Sequence, residues 1–139
     1  MKILSFILFA LIIAGCNGGL IGDSRDNYVG FYNGQRVLTR TVYGQTTRQE
    51  ATLTTHVGKM QDKDYIIFDA YYTAIIKGNT FTFDKMVLEG SPNASTEVTG
   101  GGGTFSKNEI SFTMELTNKI SDGATMVTYK TIYTFTGRK

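Results

Sequence analysis

The sequence predicts an all-β protein: an antiparallel up-and-down barrel of about eight strands, preceded by a signal-peptide helix. Residues with high β-propensity alternate with turn residues from Tyr28 onward, and no later stretch has the apolar spacing of a helix. The chain has 139 residues, 41% of them hydrophobic, which suits one small domain and is too short for two. Short antiparallel strands hide their edges by closing into a barrel.

The first element is an N-terminal leader. Lys2 is followed by a run over residues 3–15 in which Ser5 is the only polar side chain. This layout predicts a secretory signal peptide over residues 1–15. A spanning helix needs about 20 apolar residues, so the leader is too short to remain as a membrane anchor.

The single cysteine stands at the end of this leader, in Ile13-Ala14-Gly15-Cys16, which resembles the lipobox of bacterial lipoproteins. The resemblance implies cleavage before Cys16, acylation of Cys16 including a palmitate-type chain, and anchoring to a membrane of the cell envelope. Asn17 stands where an Asp would retain such a protein in the inner membrane, so the outer membrane is expected, on either its periplasmic or its outer face. Residues 16–27, rich in Gly and polar residues, are expected to be a flexible tether, and residues 28–139 the barrel domain.

The candidate strands are short and are separated by turn residues. They cover residues 29–43, 50–57, 64–70, 71–77, 80–88, 94–106, 109–119 and 125–137. The third and fourth adjoin without an obvious turn, so seven strands is the alternative. Gly78-Asn79, Lys107-Asn108 and Asp122-Gly123 tolerate the positive φ of tight hairpins.

Alternation along the last two strands assigns their faces. The side chains predicted to point inward are Ile110, Phe112, Met114 and Leu116 on one strand, and Val127, Tyr129, Thr131, Tyr133 and Phe135 on the other. Between Phe83 and Met86 the alternation changes parity, which predicts a β-bulge.

The chain resembles small bacterial lipocalin-like (calycin) lipoproteins. The resemblance rests on the lipid cysteine, the start Tyr28-Val29-Gly30-Phe31-Tyr32, the glycine-rich stretch before Ile110 and the ending Tyr133-Thr134-Phe135-Thr136-Gly137. It implies a barrel that binds a small molecule. Tyr32 occupies the place of the family's Trp, and Arg138 lies near the end. The resemblance thus allows an Arg138 guanidinium over the Tyr32 ring, the alternative being a solvated terminal arginine.

The sequence favours no enzyme, cofactor or metal site. His56 is the only histidine and is predicted to be exposed, and Cys16 is assigned to lipid. Gly100 to Gly103 lack the Lys-Ser or Lys-Thr of a phosphate loop and are interpreted as a kinked strand. A formal charge of +2 indicates no nucleic-acid partner.

Arg36 and Arg40 share the parity of Leu38 on the first strand. If Leu38 points inward, both guanidiniums line the interior and can bind a carboxylate. Burial of two unpaired cations costs several kcal/mol each, so the exposed placement is favoured.

The functional expectation is a lipid-anchored envelope barrel that binds a small amphipathic or hydrophobic molecule at one open end. Its predicted ligand-binding residues are Phe112, Tyr129 and Tyr133. The alternative is an envelope protein-interaction or inhibitor lipoprotein with a filled barrel and no ligand. The sequence leaves the oligomeric state open.

Overall fold

A computed structural model describes residues 22–121 and 123–139. The predicted signal peptide and Cys16 lie outside these residues. Within them, no helix is long and apolar enough to cross a bilayer.

The described residues form a short 3-10 helix, Ser24–Asn27, and one antiparallel sheet. Its strands are β1 (Gly30–Val42), β2 (Gln45–Lys59), β3 (Tyr65–Phe68), β4 (Tyr72–Lys77), β5 (Thr80–Phe83), β6 (Met86–Ser91), β7 (Ala94–Ser106), β8 (Glu109–Ser121) and β9 (Met126–Arg138). Neighbours follow the order β5-β4-β3-β2-β1-β9-β8-β7-β6, and an additional β5–β7 pairing closes a ring of eight strands. The predicted all-β barrel is confirmed, and β6 is an extra strand along the edge of β7.

The predicted strand over residues 80–88 is divided into β5 and β6. Asp84 and Lys85 interrupt it, and the β6–β7 register shifts between Val87 and Glu89. The predicted irregularity is therefore confirmed. It lets β5 close the ring through β7 while β6 leaves the ring and pairs with the other end of β7.

Three hairpin turns use residues other than glycine at positive φ, and the one at Lys107, with a φ of 51°, is at a predicted turn. Asp69 and Ala70, with φ of 50° and 62°, separate β3 from β4, so the eight-strand alternative holds over the seven-strand one. Tyr43, with φ of 49°, precedes Gly44 in the turn between β1 and β2. Positive φ at Ala and Tyr is uncommon, which is why neither turn shows in the sequence.

The ring of strands is closed only in the half of the barrel that contains the β4–β5 and β7–β8 turns, which is called the lower half. β2 pairs with β3 only through residues 57–59, and β5 pairs with β7 only through residues 80–82. β1, β2, β7, β8 and β9 continue well beyond these contacts. The barrel thus has a closed lower half and an upper half that opens to one side, between β2 and β6.

The hydrophobic core fills the lower half. Phe112 lies at its centre, and its ring centroid is 5.4 Å from those of Phe68, Phe83 and Phe135. The remaining buried apolar side chains of the core are Tyr32, Val57, Ile66, Ala74, Ile76, Phe81, Val98, Phe105, Ile110 and Met114. Packed aromatic rings of this kind supply most of the burial energy of a small domain.

The N-terminal segment caps the closed end. Arg25 is 4% exposed and its guanidinium donates to the carbonyl oxygens of Met60, Asp62 and Tyr65 at 2.7 to 3.1 Å. Asp23 accepts from the same guanidinium at 2.7 Å. Within the segment predicted to be a tether, these charge-assisted bonds hold the part from Asp23 onward against the barrel.

A cation does lie over Tyr32, but it is not Arg138. The Lys139 ammonium nitrogen is 5.3 Å from the Tyr32 ring centroid, and the Tyr32 hydroxyl donates to the Tyr28 carbonyl at 2.8 Å. The Arg138 side chain is 77% exposed and pairs with Glu109. Arg138 is therefore the solvated terminal arginine of the second interpretation.

Candidate functional site: the open upper half of the barrel

The upper half of the barrel is a cup whose inner wall is accessible to solvent. Strand register places Arg36, Leu38, Leu53, Tyr72, Leu88, Leu116, Tyr129 and Tyr133 on the inward face. All eight are half-buried, whereas the inward residues below them are buried. An inward side chain touches water only where the barrel is open, so these residues define the inner wall of the cup.

A large open cavity lies in the cup. Its volume is about 390 Å³, and it is lined by Tyr71, Tyr72, Leu88, Thr96 and Leu116. It lies at the lateral opening, between the β3–β4 turn and the sheet formed by β6, β7 and β8. Aromatic, aliphatic and hydroxyl groups in one concave wall suit a small amphipathic guest.

A second, smaller cavity of about 30 Å³ lies on the opposite wall. Its lining residues are Leu38, Arg40, Thr47, Gln49 and Thr131. Neither cavity has Tyr129 or Tyr133 among its lining residues, although Thr131 stands between them on β9. The predicted tyrosine contact with a guest therefore stays a prediction.

Polar side chains run across the inner wall from β7 to β9. Thr96 donates from its hydroxyl to Asn118 Oδ1 at 3.0 Å, and Asn118 Nδ2 donates to Thr131 Oγ1 at 3.1 Å. These bonds satisfy the polar groups internally, so the wall is pre-organised.

Both arginines of β1 face inward, so their favoured placement on the outer face is wrong, although Arg40 is exposed as predicted. Arg36 lies opposite the buried Phe135, and Arg40 lies opposite the buried Thr131. The burial penalty is avoided because the cup is open: Arg36 is half-buried, and Arg40 is exposed at the rim with its Cζ 5.2 Å from the Tyr129 ring centroid.

Polar groups converge at the floor of the cup, around Tyr133. Burial raises the pKa of Tyr133, while the Thr55 hydroxyl and the Arg36 charge act in the opposite direction on that pKa. The Thr55 and Tyr133 oxygens do not meet the geometry of a hydrogen bond, and Thr55 Oγ1 is buried without a partner. Arg36 Nε is likewise buried and unpartnered.

The three predicted ligand-binding residues occupy different levels. Phe112 is 5% exposed and forms part of the core below the cup. The Tyr133 ring stacks on it, with centroids 5.7 Å apart and planes 2° apart, so Tyr133 marks the boundary between core and cup. Tyr129 lies higher, under Arg40.

Sequence reasoning considered Arg36 as an inward residue but favoured its exposed placement, and it missed Thr55. Arg36 shares the parity of the buried Tyr32, and this relation would have indicated its inward direction. Thr55 carries no such signal, since threonine is common on both faces of strands.

His56, the only histidine, lies on β2 next to Phe31. His56 is half-buried rather than exposed, because its ring packs 4.7 Å from that of Phe31. Its backbone N–H, and not its ring, contacts Asp69. Within residues 22–121 and 123–139, no group of three His, Cys, Asp or Glu side chains could hold a metal ion.

No protein-family description, no curated protein and no solved structure matches this chain.

Proposed function

We propose that the protein is a lipid-anchored, lipocalin-like barrel of the cell envelope whose cup binds a small amphipathic molecule. The observation that supports binding is the cup itself: inward-facing side chains that remain half-buried around a cavity of about 390 Å³. A barrel serving only as a rigid scaffold gains nothing from an unfilled upper half, because unfilled apolar wall forgoes stabilisation by packing.

The rim supports an amphipathic rather than a fully polar guest. Large apolar side chains are exposed at the upper ends of the strands, where a guest would enter. They are Tyr43, Tyr71, Ile120 and Met126, exposed by 45% to 81%. Exposed apolar groups around a concave opening are a common feature of binding sites.

The proposed anchor is Cys16, and the position of the ordered N-terminal segment gives it a direction. Residues 23–28 lie against the closed end, where Arg25 contacts the loop before β3. An anchor attached upstream of Asp23 would hold the closed end toward the membrane and leave the cup facing away. Cys16→Ala is expected to move the protein from the membrane fraction to the soluble fraction, and unchanged partitioning would contradict the anchor.

Native mass spectrometry tests the binding proposal. Protein purified from its own host is expected to carry a small molecule. Leu88→Trp, which fills the cavity, should abolish the adduct, and Val87→Trp, at the neighbouring position that is 65% exposed, should retain it. A wild-type spectrum free of any adduct would count against the proposal.

A second candidate function, protein interaction at the envelope, is favoured by one observation. The side of β2 away from β1 has no strand partner among the described residues from Gln45 to Thr55. A free edge of this length can accept an extended segment of another chain. Backbone amides of residues 45–55 would then gain protection from hydrogen exchange on mixing with envelope extract, and unchanged exchange would dismiss this function.

A further inference from the structure

The floor of the cup holds the two buried, unpartnered side-chain polar atoms of the described chain, Arg36 Nε and Thr55 Oγ1. They belong to neighbouring strands, and Arg36 and Thr55 both act to lower the pKa of the Tyr133 hydroxyl. Buried polar groups in folded proteins are nearly always hydrogen-bonded. Two exceptions beside one hydroxyl, below the half-buried inner wall of the cup, indicate a place where a ligand supplies the missing partner.

The chemistry of these atoms restricts that ligand. The Arg36 Nε–H can only donate, and the hydroxyls of Thr55 and Tyr133 can both donate. The group they would bind is therefore an acceptor with more than one oxygen.

Charge restricts the ligand further. Among the side chains that the structure describes, none forms an ion pair with Arg36. The carboxylate that raises the pKa of Tyr133 is that of Asp69, and it already accepts the His56 backbone N–H at 2.7 Å. One unneutralised guanidinium at a half-buried position matches a single negative charge better than two. We infer that the floor of the cup binds the carboxylate of a small amphipathic molecule through Arg36, Thr55 and Tyr133.

This inference rests on the proposed function, because it names the class of guest that the cup would hold. The apolar part of the guest would extend from the floor toward Leu88 and Leu116, which line the large cavity. Arginine suits this role because its planar fork binds both carboxylate oxygens at once.

Isothermal titration of the mature protein with decanoate and with decanol tests the inference. These probes share a tail and differ in the head group. Wild type is expected to bind decanoate at least tenfold more tightly than decanol, and Arg36→Gln should remove this preference. Arg48→Gln is the matched control, since Arg48 is 64% exposed on the outer wall and pairs with Glu50. It should keep the preference.

Thr55→Val provides a second test of the inference in case Arg36→Gln does not fold. It is close in shape and removes only the unpartnered hydroxyl, so it should fold and bind decanoate several-fold more weakly. Equal affinity of wild type for both probes, unchanged in Arg36→Gln, would overturn the carboxylate inference and leave the binding cup standing. Failure of folded wild type to bind either probe would overturn both.

Discussion

Replacement of two adjacent glycines of β7 by alanine should have opposite effects on stability. Gly101 has a φ of +115°, and an added Cβ would meet the carbonyl oxygen of Thr113 and, at 2.7 Å, the Cα of Met114. At Gly100 the φ lies outside the left-handed range and no atom lies within 4 Å of the added Cβ. The two substitutions add the same methyl group one residue apart.

The expected magnitudes follow from these geometries. A non-glycine residue at such a φ costs about 1 to 3 kcal/mol, and a contact with the fixed backbone of β8 adds about 1 to 3 kcal/mol of overpacking. Gly101→Ala should therefore lower the free energy of unfolding by about 2 to 6 kcal/mol. Gly100→Ala should raise it by up to about 1 kcal/mol, since alanine restricts the unfolded chain.

Urea unfolding followed by far-UV circular dichroism measures both effects. The slope of free energy against urea should be equal in the two variants if each unfolds from the same barrel. Equal stability of Gly100→Ala and Gly101→Ala would refute the reasoning, because it would mean that neither the strained φ nor the approach of β8 constrains this glycine run.

Two further predictions use the same unfolding assay. Phe112→Ala should lower the free energy of unfolding by about 3 to 5 kcal/mol, because five aromatic rings surround Phe112. Phe31→Ala, at a ring that is 64% exposed, should lower it by less than about 1 kcal/mol. A small and equal loss of stability in both variants would place Phe112 outside the core. Arg25 holds the pKa of the Asp23 carboxyl well below its usual range, so this pair stabilises the fold above about pH 4 and the stabilisation is lost as the pH falls through the folded-state pKa. Asp23→Asn should therefore unfold at lower urea than wild type at pH 7, with a difference that shrinks below about pH 4; a difference independent of pH would show that the charge is not responsible.

Much of the fold could be predicted from the sequence, since alternation fixes the faces of long strands. The inward set on β8 and β9 is as predicted, including Thr131, which is 6% exposed. The turn at Asp69-Ala70 could not be predicted, because Ala rarely adopts the positive φ that Asp tolerates and tertiary pairing imposes it on both residues.

The site was less predictable than the fold. The inward direction of Arg36 was judged by the cost of burying a cation, and that cost assumes a barrel that is closed along its whole height. The lateral opening depends on how few residues of β2 pair with β3, a long-range property that no local pattern contains. Alternation along a strand predicts which way a side chain points, but the closure of the sheet decides whether that side of the strand is shielded from water.

The distribution of aromatic residues shows how one small barrel can combine a stable core with an open cup. The buried phenylalanines, Phe68, Phe81, Phe83, Phe105, Phe112 and Phe135, all lie in the closed half, whereas the inward tyrosines of the upper half are half-buried. Tyrosine can pack with its ring and hydrogen-bond with its hydroxyl, so it suits a boundary between a dry core and a wet wall. Because most of the apolar packing that holds the domain together lies below Tyr133, substitutions of the half-buried residues above it should change binding with little effect on stability, and substitutions below it should do the reverse.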